Sequence, residues 1–357
     1  MAWVIPKTAF AKLDFEDHAF PEFVTSARAL AMGNAYICKV DDAWSAFYNP
    51  AGLGTIRKPQ FHLLNVHAEA SSGLMDIIGK GAAYKVPENF KETFDPNNMR
   101  EALAEEQGKL AHSRISSFPN ITVRGLTLGY LYSQRNRAII NTDTANNFEI
   151  AERKDHGPVF ALNASLFGGV FKIGASAVYL IRQDLYKSFG PTVPTSIEDS
   201  DYRYGKSLQV TAGTKLTLPI ALLPTFSAVL RNATQNNFEA EEKGGLPDPI
   251  LQTVDLGFSI TPQIGDATRI HLEVNMKDIN NSYETNSKRR LAAGVELDFN
   301  RRLFLRGGSG DGWGSGGIGV RTRTFIMDLT TYAVDRSLEG FREEEDRRWV
   351  ISLSSGF

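Results

Sequence analysis

The ten residues Arg290-Leu291-Ala292-Ala293-Gly294-Val295-Glu296-Leu297-Asp298-Phe299 put Leu, Ala, Val, Leu and Phe on one row and Arg, Ala, Gly, Glu and Asp on the other. A period of two is that of a β-strand with one apolar and one polar face. The pattern recurs upstream. Ile270, Leu272, Val274 and Met276 alternate with His271, Glu273, Asn275 and Lys277. Val254, Leu256, Phe258 and Ile260 alternate with Thr253, Asp255, Gly257 and Ser259. A soluble sandwich also alternates, but its strands usually stop at about 5–6 residues. Longer runs with charge on the polar row fit a membrane barrel, apolar outward and polar inward.

Working outward from this run, strands are expected near 60–69, 114–123, 126–136, 156–167, 170–184, 204–217, 225–235, 250–261, 267–279, 287–299, 302–309, 315–321, 323–335 and 347–357. Their connections form two sets. The tight ones are Arg124-Gly125, Gly168-Gly169, Leu218 to Pro224, Pro262 to Asp266, Asn300-Arg301 and Thr322; those at 70–113, 137–155, 185–203, 236–249, 280–286, 310–314 and 336–346 are mostly long and polar. An even strand number with short turns on one rim and longer loops on the other is the outer-membrane pattern. The last strand puts Trp349, Ile351, Leu353, Ser355 and Phe357 on one face and ends on Phe357. A terminal aromatic of this kind resembles the signal read by the barrel-assembly machinery. The fold class is therefore all-β: a 14-stranded antiparallel transmembrane barrel.

The totals allow this and exclude other classes. No apolar run approaches the roughly 18 residues of a membrane-spanning helix. A net charge of −2 over 357 residues gives no basic footprint for nucleic acid. One cysteine, Cys38, makes no internal disulfide. At the start, Ala9-Phe10-Ala11 has the small-x-small form of a processing site behind a short apolar stretch, so 1–11 reads as the remnant of an export signal.

The stretch Ser26–Gly54 is of another kind, rich in Ala and Gly. Arg28-Ala29-Leu30-Ala31-Met32-Gly33-Asn34-Ala35, then Asp41-Asp42-Ala43, then Asn49-Pro50-Ala51-Gly52-Leu53 closely resembles the start of the FadL/TodX family of hydrophobic-compound transporters and of the related PorV-like and TraF-like outer-membrane proteins. The resemblance implies that 12–57 is a hatch inside a barrel formed by 58–357, with Asn49, Pro50, Ala51 and Gly52 as the hatch motif. Asp41 and Asp42 are expected to pair with a lumenal cation such as Arg290 or Lys277. The many lumenal charges also suit the shorter PorV-like branch, whose members serve as partners of secretion machinery.

Two apolar sets stand out against the polar background. Met99, Leu103 and Leu110 make a stripe on a helix expected over Asn98–Ala111, which follows another over Leu74–Lys80. They either pack at the barrel mouth or capture an apolar ligand. Leu131, Val178, Leu180 and Val229 interrupt the inward polar row, as a ligand pocket above the hatch or as packing against it.

No chemistry of catalysis emerges. Gly312-Trp313-Gly314-Ser315-Gly316-Gly317 has dinucleotide spacing without a βαβ context. Six histidines show no metal-ligand spacing. The reading is a non-enzyme without cofactor or metal. It takes up small hydrophobic or amphipathic molecules across the bacterial outer membrane, among lipid and lipopolysaccharide. The alternative is a non-transporting barrel that binds a protein or lipid partner. The run Glu343-Glu344-Glu345-Asp346-Arg347-Arg348 reads as a solvated loop end at the long-loop rim, with divalent-ion bridging to lipopolysaccharide as its alternative.

Overall fold

The computed structural model describes residue 13 and residues 23–79, 95–142, 147–240, 245–265, 267–337 and 340–356. The signal-like stretch 1–11 and Phe357 lie outside them. Among the described residues, seventeen paired segments make one closed antiparallel sheet. Glu239–Ala240 and Gln263–Ile264 only prolong neighbouring pairings, and Ala111–Ser117 and Asn120–Val123 are two halves of one strand broken at Phe118-Pro119. Fourteen barrel strands result.

They are β1 (Gln60–Ser71), β2 (Ala111–Ser117 with Asn120–Val123), β3 (Leu126–Ile140), β4 (Phe148–Leu166), β5 (Phe171–Phe189), β6 (Tyr202–Thr217) and β7 (Thr225–Arg231). The second half comprises β8 (Thr253–Ile260), β9 (Thr268–Met276), β10 (Leu291–Phe299), β11 (Leu303–Gly310), β12 (Trp313–Arg321), β13 (Phe325–Asp335) and β14 (Glu345–Gly356). The barrel closes where β1 meets β14, with Ala68 opposite Ile351 and Ala70 opposite Trp349.

Side-chain alternation sorts the wall as the sequence does. Leu256, Phe258, Leu272, Val274, Leu291 and Ile351 are exposed on the outer row, whereas Asp255, His271, Glu273 and Glu296 are buried on the inner one. A band of exposed large apolar side chains around a closed barrel is the lipid-facing belt of a membrane protein.

Three of the departures from the sequence reading have a plain physical reason. β4 and β5 run for 19 residues each, well beyond the roughly 9–11 that cross a bilayer. Stretches 137–155 and 185–203 therefore contain strand where loops were expected, because charge pairs on the inner row carry the ladder onward. Arg153 binds Asp184 and Arg182 binds Asp155 directly across β4 and β5, at 2.8 and 2.7 Å. Residues 310–314 form a tight turn, not a long connection: Asp311 and Gly312 both take positive φ (52° and 82°), as a two-residue hairpin requires. The helix expected to reach Ala111 ends at Ala104, since Gly108 at φ 81° turns the chain into β2.

Among the described residues there are also four short α-helices: α1 (Ala27–Ala31), α2 (Ser45–Tyr48), α3 (Ser72–Gly79) and α4 (Pro96–Ala104). Asp95 caps α4 by accepting from the Asn97 and Asn98 amides, with Pro96 in the first turn.

Candidate functional site

Residues 23–56 run down the inside of the barrel and are almost wholly buried. Near the long-loop side, Arg114 of β2 donates to the Thr25 hydroxyl at 2.5 Å. Near the short-turn side, the Gly125 amide donates to the Leu53 carbonyl at 3.3 Å. Between them lies α1, where Ala27, Ala29 and Ala31 alternate with Arg28 and Leu30, and Gly33 and Asn34 in left-handed backbone (φ 63° and 64°) reverse the chain.

The Asn-Pro-Ala turn shows why its residues belong together. The Asn49 side-chain oxygen accepts from the Ala51 amide at 3.0 Å, capping the 3₁₀ helix Pro50–Thr55, whose first position suits proline. Its side-chain nitrogen donates to Ile37 of the same segment at 2.9 Å and to Thr214 of β6 at 3.1 Å. One buried amide thus joins a helix cap, an inner loop and the wall.

The strongest link is at Arg28. Its guanidinium forks onto Glu296 of β10 at 2.7 and 2.8 Å and reaches Asp41 at 2.7 Å and Asp42 at 3.2 Å. Arg306 of β11 donates to the same Glu296 at 2.8 Å, and the Tyr36 hydroxyl donates to Asp42 at 2.7 Å. The cation expected for Asp41 and Asp42 was Arg290 or Lys277 of the wall. It is instead Arg28 of the inner segment, aided at Asp41 by Lys39 at 3.7 Å, and wall contact passes through a carboxylate, Glu296. Burial opposes ionisation of Asp41, but Arg28 and Lys39 outweigh it and hold the carboxyl well below the usual carboxylate range. A second wall carboxylate, Glu273, accepts from the Cys38 and Lys39 amides at 2.7 and 2.9 Å. Burial, reinforced by Glu273, pushes the Cys38 thiol up, so it is held neutral.

The wall meets this segment with missing side chains. A Cβ on Gly174 or Gly294 would lie 2.4 or 2.5 Å from the backbone of Pro50 or Met32, and one on Gly308 2.3 Å from Met32. At Gly213 it would lie 2.1 Å from the Asn49 side-chain oxygen. These glycines sit on the inner row of different strands, so backbone packs directly on backbone. They were missed in the sequence. The legible signal was glycine recurring on the polar row, as at Gly257 and Gly294.

The apolar lumenal residues are brought together only in part. Leu131, Val178 and Leu180 are buried in one cluster with Tyr48, Phe47, Phe118 and Leu53, while Val229 packs separately with Ile37 and Cys38. Within the first cluster, Phe47 meets Phe118 edge-on at 4.9 Å and Trp44 lies 5.9 Å from each. The cavity beside Val178 and Phe47 measures about 30 Å³, the room of a single water. Side chains of the inner segment thus occupy the place read as a ligand pocket.

Met99 and Leu103 are buried with Leu74, Ile77, Ile140 and Phe148. Ile140 and Phe148 face one another across β3 and β4 on the row that lower down presents exposed Leu128 and Phe160. α3 and α4 therefore fold over the outside of the upper wall, not across the mouth. At the long-loop rim, Glu344 and Glu345 lie 3.7 Å from Arg336 and beside Arg347 respectively.

No protein-family model and no curated protein matches the chain. Solved structures do. The CymD monoaromatic hydrocarbon channel is 10% identical over 92% of this chain and 96% of that one, with a TM-score of 0.53. The P. putida toluene transporter TodX is 9% identical over 93% and 98%, with a TM-score of 0.51. The fold is that of the FadL-type outer-membrane channels. CdiB from Acinetobacter baumannii also matches, at 9% identity and a TM-score of 0.39, and the chain spans 60% of its length. A FadL-type barrel with a lipid-facing belt belongs to the bacterial outer membrane.

Proposed function

We propose that this FadL-type barrel takes up small hydrophobic or amphipathic molecules, and that residues 12–57 are a hatch within the barrel 58–357. The observation that carries the reading is the way the lumen is filled: the inner segment packs backbone to bare wall at the glycines and is held there by non-covalent links alone, among them those at Arg28, Asn49 and the Glu273 carboxylate. A wall without side chains at these contacts leaves nothing interlocked to disengage, which suits a part that moves. Likeness in fold to a monoaromatic hydrocarbon channel and a toluene transporter supports the same direction. Withdrawal of Trp44, Phe47 and Tyr48 then bares Leu131, Val178 and Leu180 as an apolar binding surface with Phe118. The Asp41–Arg28–Glu296 chain is the latch, and Met99 and Leu103 brace the loop beside the entrance instead of touching ligand. Lipopolysaccharide contact at the acidic rim and assembly through Phe357 belong to the same proposal.

The test is uptake of toluene and of a medium-chain fatty acid into proteoliposomes, with native mass spectrometry of bound ligand. Wild-type protein is expected to transport at least one, and Leu180→Asp to lose both transport and bound ligand. A folded protein that neither binds nor passes either compound refutes uptake. A second reading, a non-transporting barrel that binds a protein or lipid partner, draws on the water-sized cavity beside Val178, and that negative result favours it.

A further inference from the structure

A cavity of about 700 Å³ lies on the outside of the barrel, between α3 and the wall. This is within the roughly 300–1,000 Å³ of small-molecule sites. Its floor is two adjacent rungs of the sheet. One rung runs Ile318, Leu329, Ile351, Ala68, Ile115 from β12 to β2 through β13, β14 and β1, each residue directly opposite the next. The other runs Gly316, Thr331, Trp349, Ala70, Ser113 in the same way. The roof is Leu74, Met75 and Ile78 of α3, whose start is fixed where the Trp349 indole N–H donates to the Ser72 hydroxyl at 3.4 Å.

The shape selects the occupant. Five strands give four interstrand spacings, about 19 Å of length, whereas two rungs give only about 7 Å of width. The small residues Ala68, Ala70 and Gly316 deepen the floor, and nothing charged stands on either rung, whose polar groups are the Thr331 and Ser113 hydroxyls and the Trp349 indole N–H, the last turned to Ser72. A long, narrow, apolar trough fits a linear hydrocarbon chain. It is continuous with the bilayer interface, since Ile318, Leu329 and Ile351 are exposed members of the lipid-facing belt. The overhanging helix makes it a slot, which a flat protein surface does not enter. Strands of such barrels tilt about 35–45°, so a rung climbs obliquely between hydrocarbon and headgroups. Trp349, an exposed aromatic at the rim end of β14, suits the interfacial level.

We propose that the trough under α3 is a binding site for one acyl chain of an outer-leaflet membrane lipid, with the lipid acting as a wedge that holds α3 off the wall. The site is separate from the lumen and does not depend on transport. The test is native mass spectrometry of protein extracted in a detergent without an acyl chain. Wild type is expected to carry one lipid per barrel. Gly316→Leu fills the floor from the lipid side, and Met75→Asp puts a charge in the roof; each is expected to lower the lipid-bound fraction at least tenfold. Leu256→Ala on β8 is expected to leave it unchanged. Folding of each variant is read from heat-dependent gel mobility. Delipidated protein is then offered phosphatidylethanolamine or palmitate. Lipid retention undiminished in both folded trough variants overturns the proposal, as does binding of palmitate alone or a dimer that Met75→Asp dissociates.

Discussion

Arg28→Ala tests whether the inner segment is latched as the geometry implies. Arg28 is 5% exposed and Glu296 1%, and the pair is bidentate. Breaking a buried pair by removing one partner costs about 3–5 kcal/mol. Glu296 keeps Arg306 at 2.8 Å, which argues for the lower end. About 3 kcal/mol is roughly a hundredfold at about 1.4 kcal/mol per tenfold. The assay uses Cys38, the sole cysteine, which is 2% exposed and protonated in the closed state. Its alkylation therefore reports opening of the segment. Maleimide labelling of the folded barrel, followed by mass, is expected to run about a hundred times faster in Arg28→Ala. Arg28→Ala with Glu296→Gln is expected to fall short of the sum of the single changes, because they act on one interaction. A labelling rate within threefold of wild type, with the barrel intact, refutes the latch.

Other perturbations read the same reporter. Gly308→Val drives a Cβ into the Met32 backbone, an overpacking cost of about 1–3 kcal/mol that should speed labelling roughly five- to a hundredfold. Gly314→Ala, with nothing within 4 Å, should change nothing. Asn49→Ala loses the cap, worth about 1 kcal/mol, and both side-chain donations, so it should loosen the segment; Asn49→Asp keeps an acceptor for the Ala51 amide but sets a buried carboxylate against the Ile37 and Thr214 carbonyls, so it should loosen the segment further. The pH dependence has a definite sign. A carboxylate with a depressed pKa contributes stability that is present above its unfolded value, about 3.9, and lost as pH falls through the depressed one. The Asp41 latch should therefore hold from pH 8 to pH 5 and weaken only below about pH 4. The fluorescence difference between wild type and Trp44→Phe follows this, and a transition near pH 6 would contradict it.

How legible the site was depended on which interactions are local. Asn49 and Pro50 stood out through the family resemblance, and the motif has a local cause: a cap and a proline at a first helical turn involve neighbours two residues apart. The partner of Asp41 did not, because the sequence offers many cations and the choice of Arg28 was made by the chain reversal at Gly33-Asn34. Leu131, Val178 and Leu180 were found by their break in the polar row, but no pattern says what covers such a break; here it is Phe47 and Tyr48. The upper ends of β4 and β5 looked like loops since charge on both rows hides the period, and only the facing of Arg153 with Asp184 and Arg182 with Asp155 shows a ladder.

By itself, then, the sequence determined the barrel: period-two alternation decides which side chains meet lipid, and that follows from backbone geometry alone. The helical spacing of Met99 and Leu103 likewise showed an apolar stripe, for packing or for capture. The tertiary structure alone decided that these two are buried and on which side of the wall, which carboxylate receives Arg28, and that wall glycines lie against the inner segment. Those depend on register and closure, which bring together residues such as Arg28 and Glu296 that are 268 positions apart.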